Sequence, residues 1–312
     1  MSAVSQPVAQ LKKRADAPAP KRYEASVFCS GREIPAQFAE GIVKLQESIG
    51  RPVWVIVQRG SNDTFSEIND ELVDALIAGV AELKGKKVAV LLDSPGGYAK
   101  SAFLVARTLR TFCGGFSVLI PDKAKSAATL LAIGSEEIVL SQHGELGPLD
   151  AQIFESEREA PMSALDEVQA LERLHTFWLE SVDRAMMMLV GRTGKKVETL
   201  LPMVLESVGN MMRPLLESID VVHYTQMSRS LKVGEEYAKR LLSRVPDPDK
   251  TARNLVHGYP DHSFSIDLAE AKGLGLKAKA ASEDQEMIFD EIRPFIRKLT
   301  CIGFVKETGA NA

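Results

Sequence analysis

Several features that would assign this chain to a class at once are scarce among its 312 residues. It has three cysteines, Cys29, Cys113 and Cys301, and no CxxC spacing joins them. This usage excludes a disulfide framework and a cysteine zinc site, and it favours reduced thiols in a reducing compartment. The His, Cys, Asp and Glu residues do not recur at metal-ligand spacing, so neither a metal nor a cofactor is expected.

An excess of one charge and long apolar runs are also missing. The 38 Lys and Arg against 42 Asp and Glu give a net charge of −4, and the basic clusters are short, which argues against a nucleic-acid partner. No run of 18 apolar residues predicts a membrane span. The first residues lack the apolar stretch of a signal peptide, so we expect a cytoplasmic location. Without a GxxxxGK[ST] loop, any ATP-driven unfolding requires a separate unfoldase.

What is present is the pattern of an α/β fold. The hydrophobic content of 45% and the charged content of 26% are those of an ordinary globular protein. Short apolar runs rich in β-branched residues alternate with stretches of helical periodicity. The predicted strands are 51–58, 87–92, 116–120 and 137–140. Strands that alternate with helices predict a parallel sheet with right-handed crossovers.

The composition also divides the chain. Residues 1–22 are dominated by Ala, Pro, Ser and Lys or Arg, which predicts a disordered N-terminal arm. A main domain is expected over 23–280. It contains a helical insertion at about 160–250 because amphipathic helical patterns replace the strand pattern there. Residues 281–312 are predicted to hold a C-terminal helix and a tail.

Two polar segments follow neighbouring predicted strands. The turn DSPGG occupies 93–97, and Ser126 comes after the next strand and just before a helical pattern. Ligands of open α/β sheets bind at the carboxyl ends of the strands, so we expect the two segments to lie close together. Ser126 is either a helix N-cap or a nucleophile; as a nucleophile, it would have the N–H of Ala127 as one oxyanion donor and the glycine turn as the second. Ser94 is expected only to shape the turn.

These residues carry a family resemblance. VLLDSPGG at 90–97, followed by KSAATLLAIGSEEIVLSQHGELGPLDAQI at 125–153, resembles the ClpP/crotonase superfamily, and its serine peptidases most of all. With YPDHSFSIDLAEAKGLGL at 259–276, the chain resembles the serine dehydrogenase proteinase family, which is related to the signal peptide peptidase A and Clp protease subunit groups. The resemblance covers about 50–280. It implies a β-β-α spiral fold, homo-oligomers, and protein or peptide substrates.

The resemblance also implies roles for single residues. The residue matched by Ser126 is the nucleophile of those peptidases, and the positions matched by Gly97 and Ala127 supply the oxyanion N–H groups. The resemblance does not identify a general base, because the base residues of those families have no counterpart at the matching positions of this chain. Where Clp subunits carry their histidine this chain has Leu149 and Asp150, and no lysine lies between Ser126 and Lys195.

The candidate base is therefore taken from the neighbourhood of the serine. His143 is the nearest histidine after Ser126, and Asp150 is a candidate to orient it, although a loop histidine and a turn aspartate are the ordinary readings. His262, in the late motif, is an alternative. Lys125 ranks low because adjacent side chains at a helix start point apart.

Three functions compete at this point. A serine peptidase would use Ser126 to attack a peptide carbonyl. An acyl-CoA enzyme of the crotonase type would use the same backbone donors for a thioester enolate, but it needs no serine at 126. A non-catalytic oligomeric scaffold of the same fold is the third hypothesis, since the base is missing from its expected place.

Overall fold

The computed structural model describes residues 21–31, 33–59, 64–149, 152–153 and 162–308. Most of the predicted N-terminal arm lies outside these ranges, and its last residue, Arg22, begins the first strand. In chain order the strands are β1 Arg22–Ala25, β2 Phe28–Cys29, β3 Val53–Gln58, β4 Val88–Asp93, β5 Phe116–Ile120, β6 Lys123–Ala124, β7 Ile138–Leu140, β8 Glu145–Leu146, β9 Gln152–Ile153, β10 Met162–Ser163, β11 Ala278–Ala280, β12 Thr300–Gly303 and β13 Val305–Thr308.

Along the chain, the described helices lie between these strands. They are α1 Ala36–Ile49, α2 Asp70–Gly79, α3 Ala99–Phe112, α4 Ala127–Ile133, α5 Ala164–Thr193, α6 Val197–Glu217, α7 Val221–Leu241, α8 Pro248–His257, α9 Leu268–Gly273 and α10 Glu283–Ile296. A 3-10 turn at Val80–Leu83 follows α2.

A seven-stranded sheet organises the molecule, in the order β11-β7-β5-β4-β3-β12-β2. The pairs from β11 to β3 are parallel, and β12 is antiparallel to both β3 and β2. The four strands predicted from the sequence are β3, β4, β5 and β7, neighbours within this sheet. The α/β architecture with a parallel-rich sheet and additional helices is therefore confirmed.

Both faces of the sheet are covered, which explains why its strands are apolar throughout. Along β3, Trp54 and Ile56 face the larger core beneath α2, α3, α4, α7 and α8, whereas Val55 and Val57 face a smaller core beneath α1 and α10. Small bridges run beyond the carboxyl ends of the strands and link Ser94 to Ala124, β6 to β8, and Leu146 to Ile266. This second β layer carries the candidate site.

The last part of the chain contains more structure than a helix and a tail. It contains α10, and β12 then enters the main sheet between β3 and β2, while β13 pairs with β1. The sequence analysis missed both strands. Each has only four residues, and TCIG at 300–303 shows neither an apolar run nor a clean alternation.

The helical insertion contains α5, α6 and α7. α5 and α6 enclose a small apolar cluster of their own, formed around Val182, Val204, Val208 and Met212. Of the helices described, none has both the length and the apolar character that crossing a membrane requires.

Candidate active site

The DSPGG turn begins where β4 ends and is fixed by a buried serine. The Ser94 hydroxyl donates to Oε1 of Gln58 at 2.7 Å and accepts the N–H of Gly96 at 3.1 Å. Gln58 lies at the end of the neighbouring strand β3. Ser94 is fully buried and shapes the turn, as the sequence led us to expect.

Gly97 is held against Ile68 by the backbone on either side of it. The N–H of Ile68 donates to Gly96 O at 2.7 Å, and the N–H of Tyr98 donates to Ile68 O at 2.8 Å. Since the groups flanking Gly97 face Ile68, its own N–H faces away from it. Gly97 has φ +139°, and a Cβ there would lie 2.3 Å from Ile68 O, so this position requires glycine.

The turn touches the serine predicted as the nucleophile. A Cβ built on Gly96 would lie 3.0 Å from Cβ of Ser126 and 3.3 Å from the backbone nitrogen of Ala127. The expected proximity of the two strand ends is therefore present. It brings the Gly96-Gly97 backbone next to the start of α4.

Ser126 itself has an unusual conformation. Across the described residues it is the one non-glycine residue with a positive φ, at φ +49° and ψ −118°. It occupies the N-cap position of α4, yet its side chain makes no capping hydrogen bond. Such a backbone costs roughly 1–3 kcal/mol. The expectation that Ser126 merely caps a helix does not account for this strain.

Ala127, the first residue of α4, has a backbone N–H that is the second candidate oxyanion donor, beside the N–H of Gly97. Ala127 is buried, and the N–H groups of a first helical turn have no carbonyl partner within the helix. α4 is anchored behind it by Thr129, whose hydroxyl donates to Ala124 O at 2.7 Å and accepts the N–H of Gly147 at 3.0 Å. The LGPLD segment is thereby tied to the serine helix.

Lys125 contacts both the LGPLD segment and the HSFSID segment. Its ammonium pairs with Glu145 at 2.9 Å and donates to Leu146 O at 3.1 Å and Phe264 O at 3.2 Å. Leu146 in turn exchanges two backbone hydrogen bonds with Ile266, each 3.0 Å long. Lys125 is therefore a structural cation that gathers LGPLD and HSFSID beside Ser126, which agrees with its low rank as a base.

His143, the proposed base, lies on a turn that other parts of the fold hold in place. His143 is exposed on the turn after β7, and its N–H donates to the Ser141 hydroxyl at 3.3 Å. That turn is fastened to α10 by Glu286, which accepts from Ser141 Oγ at 2.9 Å and from Gln142 N at 2.6 Å. Asp150 lies outside the described residues.

A buried network of charged side chains lies at the ends of β3, β4 and β5, next to the DSPGG turn. It was not predicted from the sequence. Arg59 Nε donates to Asp93 Oδ1, and Arg59 Nη2 lies 2.9 Å from Oδ2 of Asp122. The N–H of Lys123 donates to the other oxygen of Asp93 at 3.0 Å. Burial raises the pKa of the Asp93 carboxyl, while Arg59 and the Lys123 amide oppose that rise. The signal in the sequence was an arginine directly after β3 and an aspartate at the end of β4.

Lys123 also has an altered ionisation. Burial lowers the pKa of its ammonium, and the positive charge of Arg59 lowers it further. It is the first residue of β6, three positions before Ser126 in the sequence. No group of three or more His, Cys, Asp and Glu side chains could hold a metal ion in the part of the chain that the structure describes.

Residues 64–212 match the family of ClpP-like SDH-type serine proteinases. This range contains the glycine turn, Ser126 and the LGPLD segment. The family that the motifs resembled is thus the one that the whole segment matches.

Known relatives and structures are more distant. Two uncharacterised proteins of Methanocaldococcus jannaschii are 24% identical over 238 residues and 23% identical over 192 residues. The matches cover 75% and 61% of this chain, but only 66% and 51% of those relatives. Two structures of the 1510-N membrane-bound stomatin-specific protease, a serine-to-alanine variant and a lysine-to-alanine variant with a substrate peptide, superpose with TM-scores of 0.44 and 0.43. They are 12% and 13% identical, and the superpositions cover 76% of this chain and 83% and 78% of theirs.

Proposed function

Residues 64–212 belong to the ClpP-like SDH-type serine proteinase family, and from this premise we propose that the chain is a serine endopeptidase acting on protein or peptide substrates. The observation that carries the proposal is the contact between the Gly96-Gly97 turn and Ser126. A serine in a strained backbone, next to two backbone segments that present N–H groups, has the parts that acyl transfer requires.

The proposed chemistry follows from these positions. The Ser126 hydroxyl attacks the carbonyl carbon of a substrate peptide bond. The N–H groups of Gly97 and Ala127 then donate to the oxygen as it becomes negatively charged. Donors held by the surrounding backbone need no reorganisation during the reaction, and removing one such donor typically costs a factor of about 10²–10³ in rate.

The base is a separate part of the proposal. A serine hydroxyl must lose its proton, so a titratable group has to come within hydrogen-bond reach once substrate is bound. We keep His143 as the proposed base, with Asp150 to orient it. Lys123, three positions before Ser126 in the sequence, is the alternative. A lysine acts as a base only when its pKa is lowered, and burial lowers that of Lys123.

Turnover of an unfolded protein tests the peptidase proposal. We expect the wild-type chain to cleave a denatured, fluorescently labelled protein, and we expect Ser126→Ala to lose at least about 10³-fold in rate because the nucleophile is removed. Ser218→Ala is the matched control. Its hydroxyl lies on an exposed helix end and donates to Leu215 O, so its activity should equal that of wild type.

Equal activity in wild type and Ser126→Ala would contradict the nucleophile assignment, and no cleavage by any form would favour the scaffold. The base is tested in the same assay with His143→Ala and Lys123→Met. His175→Ala, another exposed histidine, serves as the control for the first. Loss of activity in only one of these two variants would identify the base. Full activity in both variants would reject both candidates.

Assembly and location belong to the proposal as well. We propose a homo-oligomer in the cytoplasm. Exposed apolar side chains on α6 support a subunit contact, among them Met203 at 66% and Met211 at 52% exposure. Methionine side chains adapt readily to a partner surface. Light scattering at several protein concentrations tests this assembly.

A further inference from the structure

Two of the three cysteines face each other at the edge of the main sheet. Cys29 on β2 and Cys301 on β12 are direct partners in the antiparallel register. Residues directly opposite each other in a ladder project from the same face, and both cysteines pack in the smaller core beneath α1 and α10. No disulfide joins them, and Cys113, the third cysteine, lies at the end of α3.

The flanking hydrogen bonds define the type of this pair. The N–H of Ser30 donates to Thr300 O at 2.9 Å, and the N–H of Ser26 donates to Phe304 O at 2.8 Å. Hydrogen-bonded and non-hydrogen-bonded pairs alternate along an antiparallel ladder, so the Cys29 and Cys301 pair is non-hydrogen-bonded. Such pairs hold their Cα atoms about 4.5 Å apart, inside the range of about 4.4–6.8 Å that disulfides span. A disulfide here needs no large backbone movement.

The two thiols differ in their access to reagents. Cys301 is fully buried in the core beneath α1 and α10, whereas Cys29 is half-buried on an edge strand. The neighbouring Cys29 raises the pKa of the Cys301 thiol, and burial raises it as well. A reagent from solvent therefore reaches Cys29 first, and Cys301 stands behind it as the resolving thiol.

We propose that Cys29 and Cys301 are a redox modification site, a dithiol that hydrogen peroxide converts reversibly to a disulfide. The Cys29 thiolate attacks one peroxide oxygen, the O–O bond breaks, and a sulfenic acid and water form after proton transfer. Cys301 sulfur then displaces the sulfenic oxygen as a second water. Two thiols and one peroxide give one disulfide and two waters, and a small dithiol reductant reverses the change.

A disulfide between Cys29 and Cys301 would join β2 to β12 beside the candidate site. β12 pairs with β3, in which Gln58 faces Thr300 and holds the Ser94 hydroxyl. Phe28, next to Cys29, packs on Phe65 with ring centroids 5.1 Å apart, and Phe65 O accepts from Gln58 Nε2 at 3.0 Å. The inference itself does not depend on the proposed peptidase function.

Peptide mapping of the full chain tests the site, because trypsin places each cysteine in a peptide of its own. These peptides are 23–32 (YEASVFCSGR), 111–123 (TFCGGFSVLIPDK) and 299–306 (LTCIGFVK). The protein is treated with hydrogen peroxide, remaining thiols are alkylated, and the digest is analysed by mass spectrometry. We expect a species joining 23–32 to 299–306 within one chain, lighter by two hydrogens than the sum of the two peptides. Dithiothreitol should abolish it.

Variants and melting measurements complete the test. The oxidised wild type should melt several degrees above the reduced form, because a cross-link restricts the unfolded chain. Cys29→Ser should lose both the linked species and the shift, and since Cys29 is half-buried the variant should fold; Cys113→Ser should keep both. Peroxide that yields only sulfinic or sulfonic acid at Cys29, or a linked species that includes Cys113, would overturn the proposal.

Discussion

At the scale of single residues, the Arg59 and Asp93 pair supports the start of the glycine turn. Asp93 is fully buried at the end of β4, directly before the glycine turn, and the Arg59 side chain is 17% exposed. Removing one partner of a buried pair leaves an uncompensated charge, which typically costs about 3–5 kcal/mol. We expect Arg59→Ala to lower the free energy of unfolding by that amount in urea denaturation.

Lys44→Ala is the matched control for this prediction. Lys44 pairs with Glu291 at 2.7 Å, but both side chains are about half exposed. Exposed pairs contribute about 0–1 kcal/mol because water screens them. Similar losses in the two variants would show that the Arg59 network is not the buried support described above.

At the scale of elements, α7 is joined to α8 around one buried carboxylate. Glu235 is 6% exposed and lies 2.8 Å from Lys239, 3.5 Å from Lys232, and 3.8 Å from both Arg253 and His257. Burial by itself would raise the pKa of Glu235, but Lys239 and Lys232 together hold it below its usual value. A carboxyl whose folded pKa is depressed stabilises the fold above its unfolded pKa, and this contribution is lost as the pH falls through the folded pKa.

Glu235→Gln should therefore melt below wild type at pH 7, and the difference should shrink as the pH falls below about 4, near the unfolded pKa of Glu. The neighbouring Glu236→Gln is the control, since Glu236 contacts the same lysines but is 45% exposed. Melting curves between pH 3 and pH 7 measure the effect. A difference that stays constant over this range would contradict the role given to Glu235.

Some elements could be predicted from the sequence and others could not. Strands β3, β4, β5 and β7 and the long helices were predictable because each has an apolar run or a 3.6-residue period. The contact between Gly96 and Ser126 followed from the rule for strand ends in parallel sheets. The positive φ of Ser126, the pairing of Arg59 with Asp93 and the entry of β12 into the sheet were not predictable, because they arise from contacts between residues far apart in the chain.

At the scale of the whole molecule, one sheet connects an early strand, β2, and a late strand, β12, to the candidate site. β12 lies between β2 and β3, so the last strands complete the side of the sheet from which Gln58 and Arg59 hold the glycine turn. On the far side of that turn, Lys125 fixes the LGPLD and HSFSID segments against Ser126. Elements from most of the described chain therefore surround the proposed catalytic site.

The most direct test of that proposal is covalent labelling of the serine. The full chain is treated with a fluorophosphonate, and the modified residue is located by tandem mass spectrometry. We expect one adduct, on the Ser126 hydroxyl, which is absent from Ser126→Ala and unchanged in Ser218→Ala. Labelling that is absent from the folded wild type, or that persists in Ser126→Ala, would contradict Ser126 as the nucleophile.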